Sequence, residues 1–200
     1  NKNESIKYFQ KASERRNAHA MFKYGQMIIN KEVPDKSKEE GIIYIKNSAD
    51  SGFLKAMYYY SQILEKGEDI SADKELSIQY MKKSADKGHT ESMYKYGLYL
   101  QTKSKEDKKS NYEYDKYIKK ASDKGYIDAI YQYGKILKND DVVPDNEVKS
   151  AKYIKIAANN DNSKAISLYG KMLLSGRGVL TDKVEALEYI QKGIAKGDWN

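Results

Sequence analysis

Tyr80-Met81-Lys82-Lys83-Ser84-Ala85-Asp86-Lys87-Gly88 is the stretch from which the fold can be read. Its opening tyrosine belongs to a column, Tyr8, Tyr44, Tyr80, Tyr117, Tyr153 and Tyr189, spaced 36 or 37 residues apart. Each is followed by an apolar residue: Phe9, Ile45, Met81, Ile118, Ile154 and Ile190. The closing glycine has counterparts in Gly52, Gly125 and Gly197, with Asp161 as the one departure. A second column runs at the same offset, Tyr24, Tyr60, Tyr96, Tyr133 and Tyr169, and a small residue follows each: Gly25, Ser61, Gly97, Gly134 and Gly170. Four positions before each small residue stands Met21, Met57, Met93, Ile130 or Ile166. A period this regular specifies a repeat fold, in which each unit buries its apolar side against its neighbours.

Each unit resolves into two helices. The first, helix A, carries apolar residues at i, i+3 and i+7, as in Met21, Tyr24 and Ile28 or Met93, Tyr96 and Leu100, which is the 3.6-residue period. Helix B follows, as in Leu76 to Ala85, and its terminal glycine takes positive φ without steric cost, so the chain caps the helix and turns back. The small residues let helix axes approach closely. Helices of roughly a dozen residues are marginal alone in water, so their stability must come mostly from inter-helix contact. The predicted units are 17–52, 53–88, 89–125, 126–161 and 162–197. Residues 1–16 read as a lone helix B and 198–200 as the start of a truncated further unit, so the chain reads as a fragment. The expected fold class is all-α, a solenoid of about five helix–turn–helix repeats.

Composition agrees with helices: charged residues are 32%, apolar residues 40%, and the only prolines are Pro34 and Pro144. No apolar run approaches the ~18 residues of a membrane span. The chain has no cysteine, which excludes a disulfide framework and thiolate metal sites and fits either redox compartment. Cytoplasm, endoplasmic-reticulum lumen and secretion all stay open, since the sequence starts at Asn1 and a leader would lie before it. The net charge of +7 is spread out, with a net three positive charges in 1–16, none across 17–88, three in 89–125 and three in 162–197, and a net one negative charge in each of 126–161 and 198–200. Lysines alternate with acids along the helices, which argues against nucleic acid as partner. The one local basic cluster, Lys103-Ser104-Lys105-Glu106-Asp107-Lys108-Lys109, reads as a solvated loop.

Catalytic and metal chemistry finds no support. His19 and His89 stand at non-equivalent repeat positions without metal-ligand spacing and read as surface histidines. Gly176-Arg177-Gly178 completes no phosphate-loop motif and reads as a turn. The pairs Glu39-Glu40 and Asp140-Asp141 fall at turns or helix starts, where negative charge favours the helix N-terminus. The expectation is a non-enzyme with no cofactor and no metal.

The unit 162–197 contains Ala165-Ile166-Ser167-Leu168-Tyr169-Gly170, then Leu174-Ser175-Gly176-Arg177-Gly178-Val179, then Asp182-Lys183-Val184-Glu185-Ala186-Leu187-Glu188-Tyr189-Ile190. This closely resembles the Sel1-like repeat, a relative of the tetratricopeptide repeat with a longer, glycine-containing turn. Other units match less fully: 53–88 keeps Gly67, Asp73 and the Tyr80 to Gly88 ending, 17–52 and 126–161 carry Val33-Pro34 and Val143-Pro144 in the turn, and 102–111 replaces the turn with a polar lysine-rich run. The resemblance implies a right-handed superhelix with helix A on the concave side, and a role as adaptor or scaffold. A cysteine-rich branch linked to β-lactam binding staples its helix pairs with disulfides, which this chain cannot form.

A third column, Phe22, Tyr58, Tyr94 and Tyr131, broken by Ser167, supplies the candidate binding surface. It stands two residues, about 200° of helix rotation, from the Tyr24 column, so it points outward or toward the adjacent helix A. Around it lie variable residues, His19, Lys55, Glu91, Asp128 and Lys164 on one side and Gln26, Gln62, Leu98, Lys135 and Lys171 on the other. Tyrosine suits recognition, offering area and a polar tip at small entropic cost. The same rings would equally serve to wedge neighbouring helices together. The expected partner is a protein or peptide held by Phe22, Gln26, Tyr58, Gln62, Tyr94, Leu98, Tyr131, Lys135 and Lys171. Alternatives are self-association through the repeat ends and service as an assembly segment of a larger multidomain protein.

Overall fold

The computed structural model describes residues 1–106, 113–138 and 145–197. Among these there are eleven helices and no strand: α1 Lys2–Glu14, α2 Ala18–Ile29, α3 Lys38–Asp50, α4 Leu54–Lys66, α5 Lys74–Asp86, α6 Thr90–Glu106, α7 Glu113–Asp123, α8 Ile127–Lys138, α9 Asn146–Asn159, α10 Ser163–Ser175 and α11 Lys183–Ala195. The basic run from 107 onward, Asp140-Asp141, Val143-Pro144 and the segment 198–200 lie outside the described residues. The chain divides into two compact units, Asn1–Tyr96 and Gly97–Asn200. In the first, each helix from α1 to α5 packs on the next, and in the second the same holds from α7 to α11. The chain is an all-helical repeat solenoid, as the period predicts.

The two tyrosine columns turn out to be halves of one contact. Tyr24 on α2 meets Tyr44 on α3 edge to face, and the arrangement recurs for Tyr60 and Tyr80, Tyr133 and Tyr153, and Tyr169 and Tyr189, with ring centroids 4.9–5.0 Å apart. Such pairs contribute about 0.5–1.5 kcal/mol beyond their area, because the positive ring edge meets the negative face. The small-residue column lies beside them. Gly25 crosses α3 so closely that an added Cβ would stand 2.7 Å from the Gly41 carbonyl oxygen and 3.0 Å from Ile45. Where serine replaces glycine, its hydroxyl makes the crossing polar: Ser77 Oγ donates to the Ser61 carbonyl and Ser150 Oγ to the Gly134 carbonyl, both at 2.7 Å. Every serine in these crossings is buried and bonded, so no buried polar group goes unpaired there.

In the first unit, packing of a B helix on the A helix of its own pair uses a second device. Ser48 Oγ donates to the Ala18 carbonyl at 2.5 Å, and 36 residues on Ser84 Oγ donates to the Leu54 carbonyl at 2.9 Å. Successive B helices are also clipped together: Tyr80 hydroxyl donates to Asp50 at 2.5 Å in the first unit, and Tyr189 hydroxyl to Asn159 at 2.6 Å in the second. Lys46, Lys82 and Lys119 each pair with an aspartate four residues on, Asp50, Asp86 and Asp123. The fourth lysine of that register, Lys155, has Asn159 in place of the aspartate and reaches Glu185 on α11 at 3.0 Å.

The turn after helix B fixes a register position in the left-handed region: Gly52, Gly88, Gly125 and Gly197 have φ of +94°, +99°, +81° and +71°. Asp161, the departure in sequence, takes φ +64°, and Arg16 after α1 takes +59°, so the backbone demand holds where glycine is missing. At the helix A to helix B turn of the last repeat, Gly176 and Gly178 also have positive φ, and a Cβ on Gly178 would run into the Glu147 carbonyl. The sequence reading of Gly176-Arg177-Gly178 as a turn holds.

Candidate functional site

The A helices of the repeats start at one shared register. Asn17 and Asn162 accept from the backbone N–H three residues on, at 2.9 Å each, while Phe53 at the same position makes no side-chain cap bond. His89 occupies this register too, and here the structure corrects the sequence reading of it as a surface histidine. It is half-buried; its Nδ1 accepts from the Ser92 backbone N–H at 3.3 Å and lies 2.8 Å from the Ser92 hydroxyl, so the imidazole caps α6. The Ser92 hydroxyl continues to Ser84 Oγ at 2.9 Å. Burial pushes the His89 pKa below its ordinary value, with Glu91 opposing and Lys55 reinforcing the shift. His19 is exposed, between the rings of Phe9 and Phe53 at centroid distances of 6.4 and 5.4 Å.

The predicted aromatic column splits. Phe22 is 5% exposed and packs on Phe53 and Tyr59 of the next helix pair, and Tyr58 is 7% exposed with its ring on His89 at 5.3 Å and its hydroxyl donating to Glu91 at 3.0 Å. Both rings therefore fill the seam between successive A helices, the second of the two directions that the helical rotation allows. Tyr94 and Tyr131 are half-buried, as are Gln26, Gln62 and Leu98; Lys135 and Lys171 are exposed. Lys135 stands over the Tyr131 ring at 5.7 Å.

Two hollows open on the first unit. One, of about 350 Å³, is lined by Phe22, Lys55, Tyr58, Tyr59, Gln62, His89 and Glu91. The other, of about 290 Å³, is lined by Ile29, Lys38, Tyr59, Gln62, Ile63, Lys66, Glu68 and Asp69. They share Tyr59 and Gln62, so one side of α4 runs through both. Of the nine predicted residues this brings together Phe22, Tyr58 and Gln62 and leaves Gln26, Tyr94, Leu98, Tyr131, Lys135 and Lys171 outside. Sequence reasoning missed Tyr59, Ile63 and Lys66. The signal for Tyr59 and Lys66 was helical: Lys55, Tyr59, Gln62 and Lys66 fall at i, i+4, i+7 and i+11, and Ile63 follows at i+8.

The arrangement offers contact chemistry, with rings, an amide, ammonium groups and carboxylates on a shallow surface. Among the described residues no group of three or more His, Asp or Glu side chains is placed to hold a metal ion, and no helix is long and apolar enough to cross a membrane. Paired helices repeated at a fixed period, with variable residues on the side that packing leaves open, define a helical-repeat protein. The profile of the Sel1 repeat family matches residues 1–17, 54–89, 127–162 and 163–198, and the chain belongs to that family.

Solved structures with this fold include a Sel1 repeat protein from Oxalobacter formigenes, 22% identical with a TM-score of 0.80, the alignment covering 96% of this chain and 78% of that one. A protective antigen present in uropathogenic Escherichia coli strains superposes with a TM-score of 0.79 at 21% identity over 96% of this chain; the chain spans 41% of the antigen's length. An immunity protein from Pseudomonas aeruginosa aligns over 96% of this chain and 72% of its own, at 17% identity and a TM-score of 0.57. These likenesses are of fold. No curated protein matches the sequence.

Proposed function

We propose that this chain is a protein-interaction scaffold that holds a peptide or folded domain against the open side of its A helices. Sel1 repeat proteins are generally protein-interaction scaffolds. The observation that carries the reading is the surface along α4, where Tyr59 and Gln62 belong to two adjoining hollows and neither residue is consumed by the Tyr60 to Tyr80 packing. Half-buried rings beside polar groups suit recognition, because they offer contact area already ordered before the partner arrives. Gln26, Tyr94, Leu98, Tyr131, Lys135 and Lys171 would extend the contact along the other A helices. Phe22 and Tyr58 would support it from below, being buried.

The test is site-specific photocrosslinking in cells of origin, with the crosslinker at Gln62 or Gln26 on the A helices or at Ile43 on the outer side of α3. Partner adducts confined to the A-helix positions are the expected result. Adducts from Ile43 alone would overturn the assignment of the face.

A further inference from the structure

We infer that the outer face of α11 is a self-association surface, on which a second copy of this chain lays its own α11 antiparallel about a two-fold axis. This goes beyond the scaffold reading and does not depend on it. Val184, Leu187, Gln191 and Ile194 fall at i, i+3, i+7 and i+10, a stripe about 15 Å long within about 80° of the helix circumference. The other side of α11 is spent on the repeat itself, through buried Ala186 and Gly193 and the Tyr189 ring on Tyr169. The stripe is open: Val184 is 72% exposed, Leu187 56% and Ile194 60%, with Leu180 at 92% just before the helix. Folded chains seldom leave apolar side chains grouped in this way without a partner.

Register says what does not fit there. In each earlier helix B the position of Ile194 holds a small residue, Ser13, Ala49, Ala85, Ser122 or Ala158, and all of these are buried. Ala49 shares a core with Ala56 and Met57 of α4, and Ala158 with Ala165 and Ile166 of α10, so the small side chain is what lets the following A helix close in. Isoleucine is larger and holds a facing helix farther out, as the Val, Leu and Ile of a coiled-coil seam do. The other end of the chain does not fit either. Around Tyr8 the exposed residues of α1 are Glu4, Lys7, Lys11 and Glu14, and a head-to-tail stack would set these charges on the apolar stripe. A second α11 does fit. The spacing 3, 4, 3 reads the same from either end, so antiparallel helices place Val184 opposite Ile194 of the second copy and Leu187 opposite its Gln191, each contact made twice. The open apolar area is roughly 200–300 Å² per copy, the core of a small interface that forms and dissociates readily. The axis passes at the level of residue 189, so the two Glu188 carboxylates come near one another at the rim, a weak repulsion that marks this geometry.

The experiment is sedimentation equilibrium of the full chain from about 1 to about 200 μM, which brackets the micromolar affinity of a small interface. A monomer–dimer equilibrium without larger species is expected. Leu187→Glu should weaken the dimer by about tenfold or more, because it sets a charge in the seam. Ile43→Glu, at an equally exposed apolar position on α3, should leave it unchanged. Both are surface positions, and circular dichroism will verify folding. Glu188→Lys tests the axis. Mixed in equal amounts with the unchanged chain at low ionic strength, it should form the mixed dimer in more than the half share that chance gives, as native mass spectrometry will count, since only that dimer replaces a like-charge pair by an opposite one. A chain that stays monomeric, a ladder of higher oligomers, or a dimer indifferent to Leu187→Glu overturns the inference. A mixed dimer at the chance share overturns the two-fold arrangement.

Discussion

At the scale of single residues, register decides what a side chain does. His89 sits where Asn17 and Asn162 cap their helices, and its imidazole takes the same role through Nδ1. That nitrogen accepts only while deprotonated, and burial holds the folded-state pKa below the ordinary 6.5. The folded chain therefore binds this proton less readily than the unfolded chain. Above about pH 6.5 the imidazole is neutral in both states and the contribution is complete; as pH falls through that value toward the lower folded pKa, stability is lost. His89→Asn keeps a capping oxygen without a titrating group. The difference in Tm between the two proteins should be flat above pH 7 and should move in favour of the variant as pH falls below about 6.5, as thermal melts at each pH will show. A difference that does not vary with pH would remove the histidine from the acid response. Arg16 gives a second prediction. It holds the left-handed turn that Gly52, Gly88 and Gly125 hold elsewhere, so Arg16→Gly should stabilise by about 1 kcal/mol in chemical denaturation. Both positions were legible as register, through Gly52 and Gly88 for one and Asn17 and Asn162 for the other. What could not be seen was conformation: sequence showed Asp161 as a departure, whereas the backbone there keeps positive φ.

At the scale of the element, the period was readable because its two tyrosine columns are physically coupled, one ring edge meeting one ring face in pair after pair. The direction of the Phe22 column was less readable. Helical geometry gives an angle about a helix's own axis and says nothing of what stands at that angle, and what stands there for Phe22 is Phe53 and Tyr59. Neighbouring tyrosines on α4 should therefore separate packing from recognition. Tyr58→Ala removes a buried ring and should cost about 3 kcal/mol, seen as a lower denaturation midpoint. Tyr59→Ala, at a half-buried ring within both hollows, should cost less stability and more partner affinity. Equal loss of stability from both would make Tyr59 a packing residue as well. Capping was legible in one place only by composition: Ser37 and Glu40 form a reciprocal capping box on α3, which gives the acidic pair Glu39-Glu40 the helix-start role that its sequence predicts.

For the whole molecule, the governing fact is that the main contacts within each compact unit run from a helix to its immediate neighbour, with single side-chain links to the helix after that. Stability in such an array is approximately a sum of local terms, and damage should stay near its source. Gly25→Ala is the sharpest probe, because the added carbon meets backbone, the Gly41 carbonyl at 2.7 Å, where no side chain can swing away. The crossing of α2 on α3 would have to widen, at a cost of about 1–3 kcal/mol. Hydrogen exchange should then quicken through α1 to α4, whose mutual contacts depend on that crossing, while amides of α8 to α11 keep their protection. A single globular core would answer differently, since every buried amide would exchange through the same global opening and all would quicken together. A uniform rise across the chain after Gly25→Ala would therefore contradict nearest-neighbour stabilisation itself, even though every helix lies where the period places it.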